Sequence, residues 1–292
     1  MSDEPRPAES AAPPPPPSWK RHLRFRWSLL ILFTIAVGAS IGIKVRAERR
    51  ARARREFYGA VDSGDAETVA WCLDVYPALA GQCLSSGTPL HIVARSGELR
   101  VAELVVRRGA DVEALDTGGS RPLYIAAMAG RAAVVRLLIE NGADVNAPPP
   151  YGGNALYSLD AETTRVLIES GADLDARGYG GGTWLHEVCN PHTETALVST
   201  EAVQLVIDAG ARVNAKDDWG HTPLHWLLGG LRLKGDPGIP HRLAMAKLFI
   251  DNGADLNARA KDGRTPREMA EDKELGCLDE LRDYPAKKRA SE

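Results

Sequence analysis

The chain has 292 residues, of which 44% are apolar and 26% are charged. This balance is ordinary for a globular protein and too polar for one that crosses a membrane many times. The net charge of −3 is unevenly spread: residues 44–55 carry seven basic residues and one acidic residue, whereas residues 56–292 carry 24 basic and 35 acidic residues. A segment with a net charge of −11 is unsuited to neutralising phosphates, so we expect no nucleic-acid partner.

The N-terminal segment has the composition of an unfolded tail. Residues 1–18 are rich in Pro, Ala, Ser and Glu, and five consecutive prolines occupy residues 13–17. Such a segment cannot bury enough apolar surface to form a core. We therefore predict that residues 1–26 form a disordered, Pro-rich tail with a basic end.

An uninterrupted apolar run follows the tail. Residues 27–43 contain no charged side chain, and Val45 extends the run past Lys44. A helix of this length rises about 25 Å, which is at the short end of what crosses a hydrocarbon core of about 30 Å. We predict a single transmembrane helix at residues 27–45. A buried soluble helix and a cleaved signal peptide are the alternatives.

Basic residues flank the predicted span on both sides. Four precede it within residues 20–26, and seven follow it within residues 44–55. The excess on the C-terminal side predicts a single-pass protein whose main domain is cytoplasmic, while the basic N-terminal flank leaves the opposite orientation open. Residues 46–55 are predicted to form a basic juxtamembrane helix, since they are strong helix formers. Gly38 and Gly42 form a G-x-x-x-G pair, which predicts a weak homodimer.

The remainder of the chain repeats every 33 residues. Pro89 and Pro122 open equivalent segments, and Gly109 and Gly142 close them. Each segment begins like TPLH, turns at a small residue followed by glycine, and ends like GADVNA. This motif, recurring in phase, resembles the ankyrin repeat. The resemblance implies an all-α solenoid of helix-turn-helix units with short hairpin fingers, behind the single transmembrane helix.

Later copies keep both ends of the motif and vary its middle. One copy is four residues shorter, and two carry insertions at residues 190–200 and 229–240. With degenerate terminal caps included, about seven units fill residues 56–292. Each unit alone leaves an apolar face exposed, so the units must stabilise one another by stacking.

The motif contains its own helix signals. Thr88 and Thr222 are suited to cap the first helix of their units, because each is followed by a proline that fits the first helical position. Gly97 and Gly130 can adopt the left-handed conformation that ends such a helix. These signals predict where the first helices begin and end.

Three histidines occupy the same slot of the motif: His91, His186 and His225. The ankyrin resemblance implies a structural hydrogen bond from this slot to a neighbouring loop. Tyr124 and Tyr157 replace the histidine in two units, so we expect the bond to be missing there.

No combination of residues predicts a metal site or an enzyme. His186, Cys189 and His192 lie three apart, but Cys189 falls in a core slot and Pro191 interrupts the helix. The four cysteines include no C-x-x-C pair and are expected to be small, reduced, buried side chains. No nucleophile elbow, phosphate-binding loop or zinc-protease motif occurs. We predict no catalytic residue, no metal and no cofactor.

The ankyrin resemblance implies that finger tips and first helices bind a protein partner. Three adjacent fingers place Tyr151, Tyr179 and Trp219 at their tips, and Met128 and Trp226 are expected to face the same groove. Aromatic residues are enriched in interface hot spots, although one aromatic per finger also arises by chance. We predict that these five residues bind the partner.

The combined prediction is a membrane-anchored interaction scaffold without catalytic activity of its own. The alternative is a regulatory subunit of a membrane-associated enzyme or transport complex. The two differ in whether a catalytic partner co-purifies with the chain.

Overall fold

The computed structural model describes residues 42–83, 87–150, 152–157, 160–190, 199–230 and 239–271. The chain divides into two compact units, Met1–Arg55 and Glu56–Glu292. In the first unit, the described residues from 42 onward are helical.

Within the described ranges, no helix combines the length and the apolar character that a membrane crossing requires. The tail predicted at 1–26 lies outside these ranges, as does nearly all of the span predicted at 27–45. Gly38 of the G-x-x-x-G pair lies outside them too. The anchor and the homodimer therefore stay predictions.

The second unit is a series of helix pairs. Its first pair consists of α1, the residues 56–63 of a helix that is described from residue 42, and α2 (Ala66–Val75). The helices that follow in the described ranges are α3 (Pro89–Ser96), α4 (Leu99–Arg107), α5 (Pro122–Met128), α6 (Ala132–Glu140), α7 (Ala161–Glu169), α8 (Trp184–Val188), α9 (Thr200–Asp208), α10 (Pro223–Gly229), α11 (Ile239–Asp251) and α12 (Pro266–Glu271).

The pairs stack so that like helices touch. First helices pack on first helices, as α3 does on α5 and α10 on α12, while second helices pack on second helices, as α4 does on α6 and α7 on α9. Short 3₁₀ segments occur at Pro77–Gly81, Ala155–Tyr157 and Tyr179–Gly181.

The predicted start and stop signals are confirmed. Thr88 and Thr222 are the N-caps of α3 and α10, and each is followed by a proline in the first turn. That position lacks an intrahelical partner for its N–H, so proline loses nothing there. Gly97 ends α3 with a φ of 88°, and its N–H donates to the carbonyl of Val93 at 2.7 Å. A residue with a β-carbon is strained in this left-handed conformation.

The fourth unit replaces its first α-helix with the single 3₁₀ turn Ala155–Tyr157. Asn154 stands before the turn, and its Oδ1 accepts the N–H of Leu156 at 3.0 Å. Its Nδ2 donates to Oδ1 of Asn146 at 3.1 Å and to the carbonyl of Asp173 at 2.8 Å. Asn154 therefore caps the turn and also joins two neighbouring fingers.

A continuous apolar core lies between the helices, from Phe57 to Ala270. Ala126 and Ala127 are fully buried in α5, where small side chains let first helices approach closely. In α6, Leu138 is fully buried on the inward face. Complete burial of one such leucine contributes about 2 kcal/mol.

Four equivalent side chains form a series of hydrogen bonds that we call the acceptor ladder: Glu113, Asn146, Asp175 and Asn214. Each accepts a backbone N–H from the unit that follows it. The rungs are Asp144 N–H to Glu113 Oε1 at 2.9 Å, Asp173 N–H to Asn146 Oδ1 at 2.7 Å, Arg212 N–H to Asp175 Oδ1 at 3.2 Å, and Asp255 N–H to Asn214 Oδ1 at 2.9 Å. These bonds connect successive units in addition to core packing.

The structure differs from the sequence-based predictions for Cys83 and for the bounds of the second insertion. Cys83 was expected to be buried, but its side chain is exposed because it follows the 3₁₀ segment on a surface connection. The central parts of both insertions lie outside the described ranges. The second insertion was placed at 229–240, whereas α10 ends at Gly229 and α11 already begins at Ile239.

Candidate partner-binding surface

Each finger is a tight turn that joins the second helix of one unit to the first helix of the next. A backbone hydrogen bond closes four of the fingers: Asp116 N–H to Ser120 O at 3.0 Å, Gly178 N–H to Gly182 O at 2.8 Å, Asp217 N–H to His221 O at 2.9 Å, and Ala260 N–H to Arg264 O at 3.0 Å. Neighbouring tips are also bonded, from Asp218 N–H to Gly180 O and from Lys261 N–H to Trp219 O, both at 2.9 Å. The tips therefore form a connected surface.

Tyr179, Gly180 and Trp219 form the most aromatic part of this surface, which we call the finger ridge. The side chain of Tyr179 is 81% exposed and that of Trp219 is 48% exposed. Gly180 has a φ of 65°, and a β-carbon there would collide with the indole ring of Trp219. The ring therefore packs directly against the main chain of the neighbouring tip, which fixes its position.

A buried carboxylate holds the Trp219 finger from inside. The side chain of Asp217 has no exposed surface. Its Oδ1 accepts the N–H groups of Trp219 at 2.9 Å and His221 at 2.7 Å, and its Oδ2 accepts the indole N–H of Trp226 at 2.8 Å. Asp217 thus links the finger tip to the first helix behind it.

The three motif histidines make the same bridge between units. In each, Nδ1 accepts the backbone N–H of the N-cap threonine and Nε2 lies near a carbonyl of the next finger. The pairs are Thr88–His91–Ser120 at 3.1 and 3.0 Å, Thr183–His186–His221 at 3.0 and 3.1 Å, and Thr222–His225–Arg264 at 2.9 and 3.2 Å. Because Nδ1 accepts, Nε2 carries the proton and donates. The predicted structural bond is confirmed.

Burial controls the charge of these rings. Desolvation lowers the pKa of His91, His186 and His225, although each ring also donates to a carbonyl. The neutral form suits the bridge, since a neutral imidazole has one donor and one acceptor nitrogen. A role in proton transfer is therefore not indicated for these residues.

The first helices contribute a mixed surface beside the fingers. Met128 lies at the end of α5 and is 57% exposed, while Trp226 in α10 is half-buried. Between them in sequence, Glu187 of α8 is half-buried, and burial raises the pKa of its carboxyl. Tyr151, the remaining predicted contact, lies outside the described residues.

The possible metal ligands do not converge in the part of the chain that the structure describes. There, no group of three or more His, Cys, Asp or Glu side chains could hold an ion. Both nitrogens of His186 are engaged in its bridge. Cys189 is completely buried, and burial raises the pKa of its thiol far above the ordinary value. His192 lies outside the described residues.

Sequence reasoning missed Asp217 and the acceptor ladder. Asp116 closes an earlier finger in the same manner, accepting N–H groups from Gly118 and Ser120 at 2.8 Å. An aspartate four residues before the end of a finger was therefore a readable signal. The ladder occupies the Asn slot of the GADVNA motif, to which the sequence alone attached no role.

The stacked helix pairs, the fingers and the histidine bridges define an ankyrin-repeat solenoid. A family model of ankyrin repeats matches three copies at residues 57–148. For residues 57–148 the ankyrin-repeat prediction is thereby confirmed. The matched segment ends before the finger ridge, so for the later units it is the fold that carries the assignment.

Two solved structures share this fold. The ankyrin-repeat domain of human ASB11 is 22% identical with a TM-score of 0.59, over 73% of this chain and 90% of that one. The ankyrin-repeat domain of Bcl-3, described as a unique member of the IκB family, is 24% identical with a TM-score of 0.59, over 74% and 93%. These identities establish the fold alone. Among curated proteins, no significant match was found.

Proposed function

We propose that this chain is a membrane-anchored scaffold without catalytic activity, and that the finger ridge, with Met128 and Trp226, binds its protein partner. Ankyrin repeats indicate a protein-interaction scaffold, which is the general part of the proposal. The specific part is carried by one observation: a highly exposed Tyr179 lies beside a Trp219 that the neighbouring finger holds in place.

This arrangement favours binding for two physical reasons. Tyr and Trp are the residues that most often dominate interface energies, because each buries a large area with few rotatable bonds. Trp219 is already fixed by Gly180 and Asp217, so little side-chain freedom is lost when a partner covers it. The preorganised Trp219, with Tyr179 next to its contact Gly180, is expected to act as the centre of the interface.

The membrane part of the proposal is supported by sequence. The apolar run at residues 27–43 is followed directly by residues 44–55, seven of which are basic. We propose that it crosses the membrane once, with the repeats in the cytoplasm. Extraction of membranes with alkaline carbonate tests the anchor: the chain should stay in the pellet, and release into the supernatant would contradict the anchor.

Partner capture tests the finger ridge. The tagged full-length chain is cross-linked in cells, solubilised in detergent and analysed by mass spectrometry beside the double variant Y179A/W219A. The matched control is Trp71→Ala, because Trp71 is 53% exposed on α2 rather than on a finger. We expect the wild type and the control to recover the same amount of the same partner. The double variant should recover at least tenfold less of that partner, while its thermal unfolding temperature stays unchanged.

The same experiment separates the two functions. Equal recovery by the double variant would contradict the finger-ridge assignment. An enzyme or transporter subunit whose activity changes when the chain is removed would favour the regulatory-subunit alternative over a passive scaffold.

A further inference from the structure

The described part of the first unit presents a basic helical surface. Residues 44–55 carry seven basic side chains and one acidic side chain, Glu48, and residues 42–50 are exposed throughout. Arg46, Arg49 and Arg50 are three and four residues apart, so they lie on one face of the helix. Glu48 lies on the opposite face at 100° per residue. We call these three the proximal arginines.

Exposed apolar side chains precede the proximal arginines directly. Ile43 is 68% exposed and Val45 is 42% exposed. Apolar side chains followed within one turn by arginines are the order expected where a helix leaves a bilayer and enters the headgroup region.

Distance along the helix separates the arginines into two groups. At a rise of 1.5 Å per residue, the proximal arginines lie about 3–9 Å beyond Lys44, whereas Arg52, Arg54 and Arg55 lie about 12–17 Å beyond it. The Debye length at physiological salt is about 8 Å. An upright helix therefore brings only the proximal arginines within reach of charges at the membrane surface.

We infer that the proximal arginines bind the headgroups of anionic lipids and hold the helix at the membrane surface. The inference rests on the membrane anchor of the proposed function. Phosphate and carboxylate oxygens of such lipids match the fork of guanidinium donors. A nucleic acid has the same phosphate chemistry, but the net charge of −11 carried by residues 56–292 disfavours a long polyanion.

Hydrogen exchange measured by mass spectrometry tests the inference on the full chain. The chain is reconstituted into nanodiscs of phosphatidylcholine alone or with about one third phosphatidylserine. Each arginine near the surface contributes roughly fivefold to binding, so three give about 150-fold as an upper limit. We expect amides 44–55 to exchange at least tenfold more slowly in the anionic discs, and 1 M salt to abolish the difference.

Two variants of equal charge sharpen the test. R46Q/R49Q/R50Q should lose the protection, whereas R52Q/R54Q/R55Q should retain most of it, and peptides from α4 and α6 report that the repeats are unchanged. Equal losses in both variants would overturn the assignment to the proximal face. Protection of the same size by duplex RNA added to neutral discs would overturn the choice of lipid.

The anchor and the lipid inference fail in different ways. If the chain enters neither kind of disc, the anchor is wrong and the inference falls with it. If the chain enters both and amides 44–55 exchange equally, the anchor stands and the lipid inference is wrong.

Discussion

The regular and the irregular parts of the solenoid use one motif differently. Residues 89–142 hold two units at the 33-residue period, whose first helices α3 and α5 are eight and seven residues long. Residues 154–253 hold three units in which the first helix is a 3₁₀ turn, a five-residue helix, and a helix followed by an insertion. The finger ridge and two of the three histidine bridges lie in or beside the irregular part.

The difference shows which features of a unit are needed for stacking. Leu138 in the regular part and Leu156 in the irregular part are both essentially unexposed. The core therefore continues through units whose first helices are shortened. The stack tolerates such variation because hydrogen bonds from Asn154, the histidines and the acceptor ladder join each unit to the next.

The largest expected effect tests whether the irregular part is as well packed as the regular part. Leu138→Ala and Leu156→Ala each remove a buried side chain and should each lower the free energy of unfolding by about 2–5 kcal/mol. Urea denaturation of the full chain in mild detergent measures both. A loss below about 1 kcal/mol for Leu156→Ala alone would show that the 3₁₀ unit is loosely packed.

The histidine bridges provide a second test across both parts. His91→Ala and His225→Ala each leave a threonine N–H and a finger carbonyl without their partner, which should cost about 1–3 kcal/mol. His221→Ala is the comparison, because its partly exposed ring lies 3.6 Å from Oδ2 of Asp217 and makes no bridge between a threonine N–H and a finger carbonyl. Losses no larger than that of His221→Ala would contradict a structural role for the bridge.

The pH dependence follows from the lowered pKa values of His91, His186 and His225. Unfolded histidines titrate near 6.5, so below that pH the unfolded chain binds protons that the folded chain excludes. Stability should be complete above about pH 6.5 and decrease as the pH falls, by at most about 1.4 kcal/mol per pH unit for each ring. Urea midpoints at pH 7.5, 6.5 and 5.5 measure this, and His225→Ala should flatten the slope. A constant midpoint would contradict it.

The smallest expected effect sharpens the account of the finger ridge. Gly180 and Gly171 have φ values of 65° and 84°, so alanine at either position should cost about 1–2 kcal/mol in backbone strain. Only at Gly180 would the new β-carbon collide with Trp219, whereas nothing lies within 4 Å at Gly171. Hydrogen exchange of residues 211–222 should accelerate in Gly180→Ala alone. Equal rates in the two variants would mean that Gly180 does not position the indole.

Much of the fold could be predicted because the motif carries local signals. Residue type and spacing predict the conformation or the hydrogen-bond partner of Thr88 with its proline, of Gly97 and of His91. The repeat period then places these signals in equivalent positions along the stack. Local sequence signals were sufficient to predict a residue's structural role where the residue acts within its own unit or makes the contact that the repeat motif implies.

The features of the fold and of the finger ridge that could not be predicted depend on contacts between units. The spacing of residues within one repeat does not determine these contacts. The packing of Trp219 on Gly180 requires two fingers to be adjacent. The hydrogen bond from the indole N–H of Trp226 requires the finger to bring Oδ2 of Asp217 within 2.8 Å of the ring. The slot of Trp226 predicts that it faces the groove, whereas its half-buried state could not be predicted from that slot. Contacts of this kind are properties of the stack rather than of one repeat.

The acceptor ladder has a consequence for how such an array can change its sequence. Its donors are main-chain amides, which every residue except proline supplies, and its acceptors are Glu113, Asn146, Asp175 and Asn214. A main-chain N–H donor needs only an acceptor oxygen at hydrogen-bond distance. Carboxylate and carboxamide side chains can therefore replace one another at the acceptor positions of the ladder. Substitutions at the ladder positions can thus change the charge and the length of the side chain while the spacing between successive units stays the same.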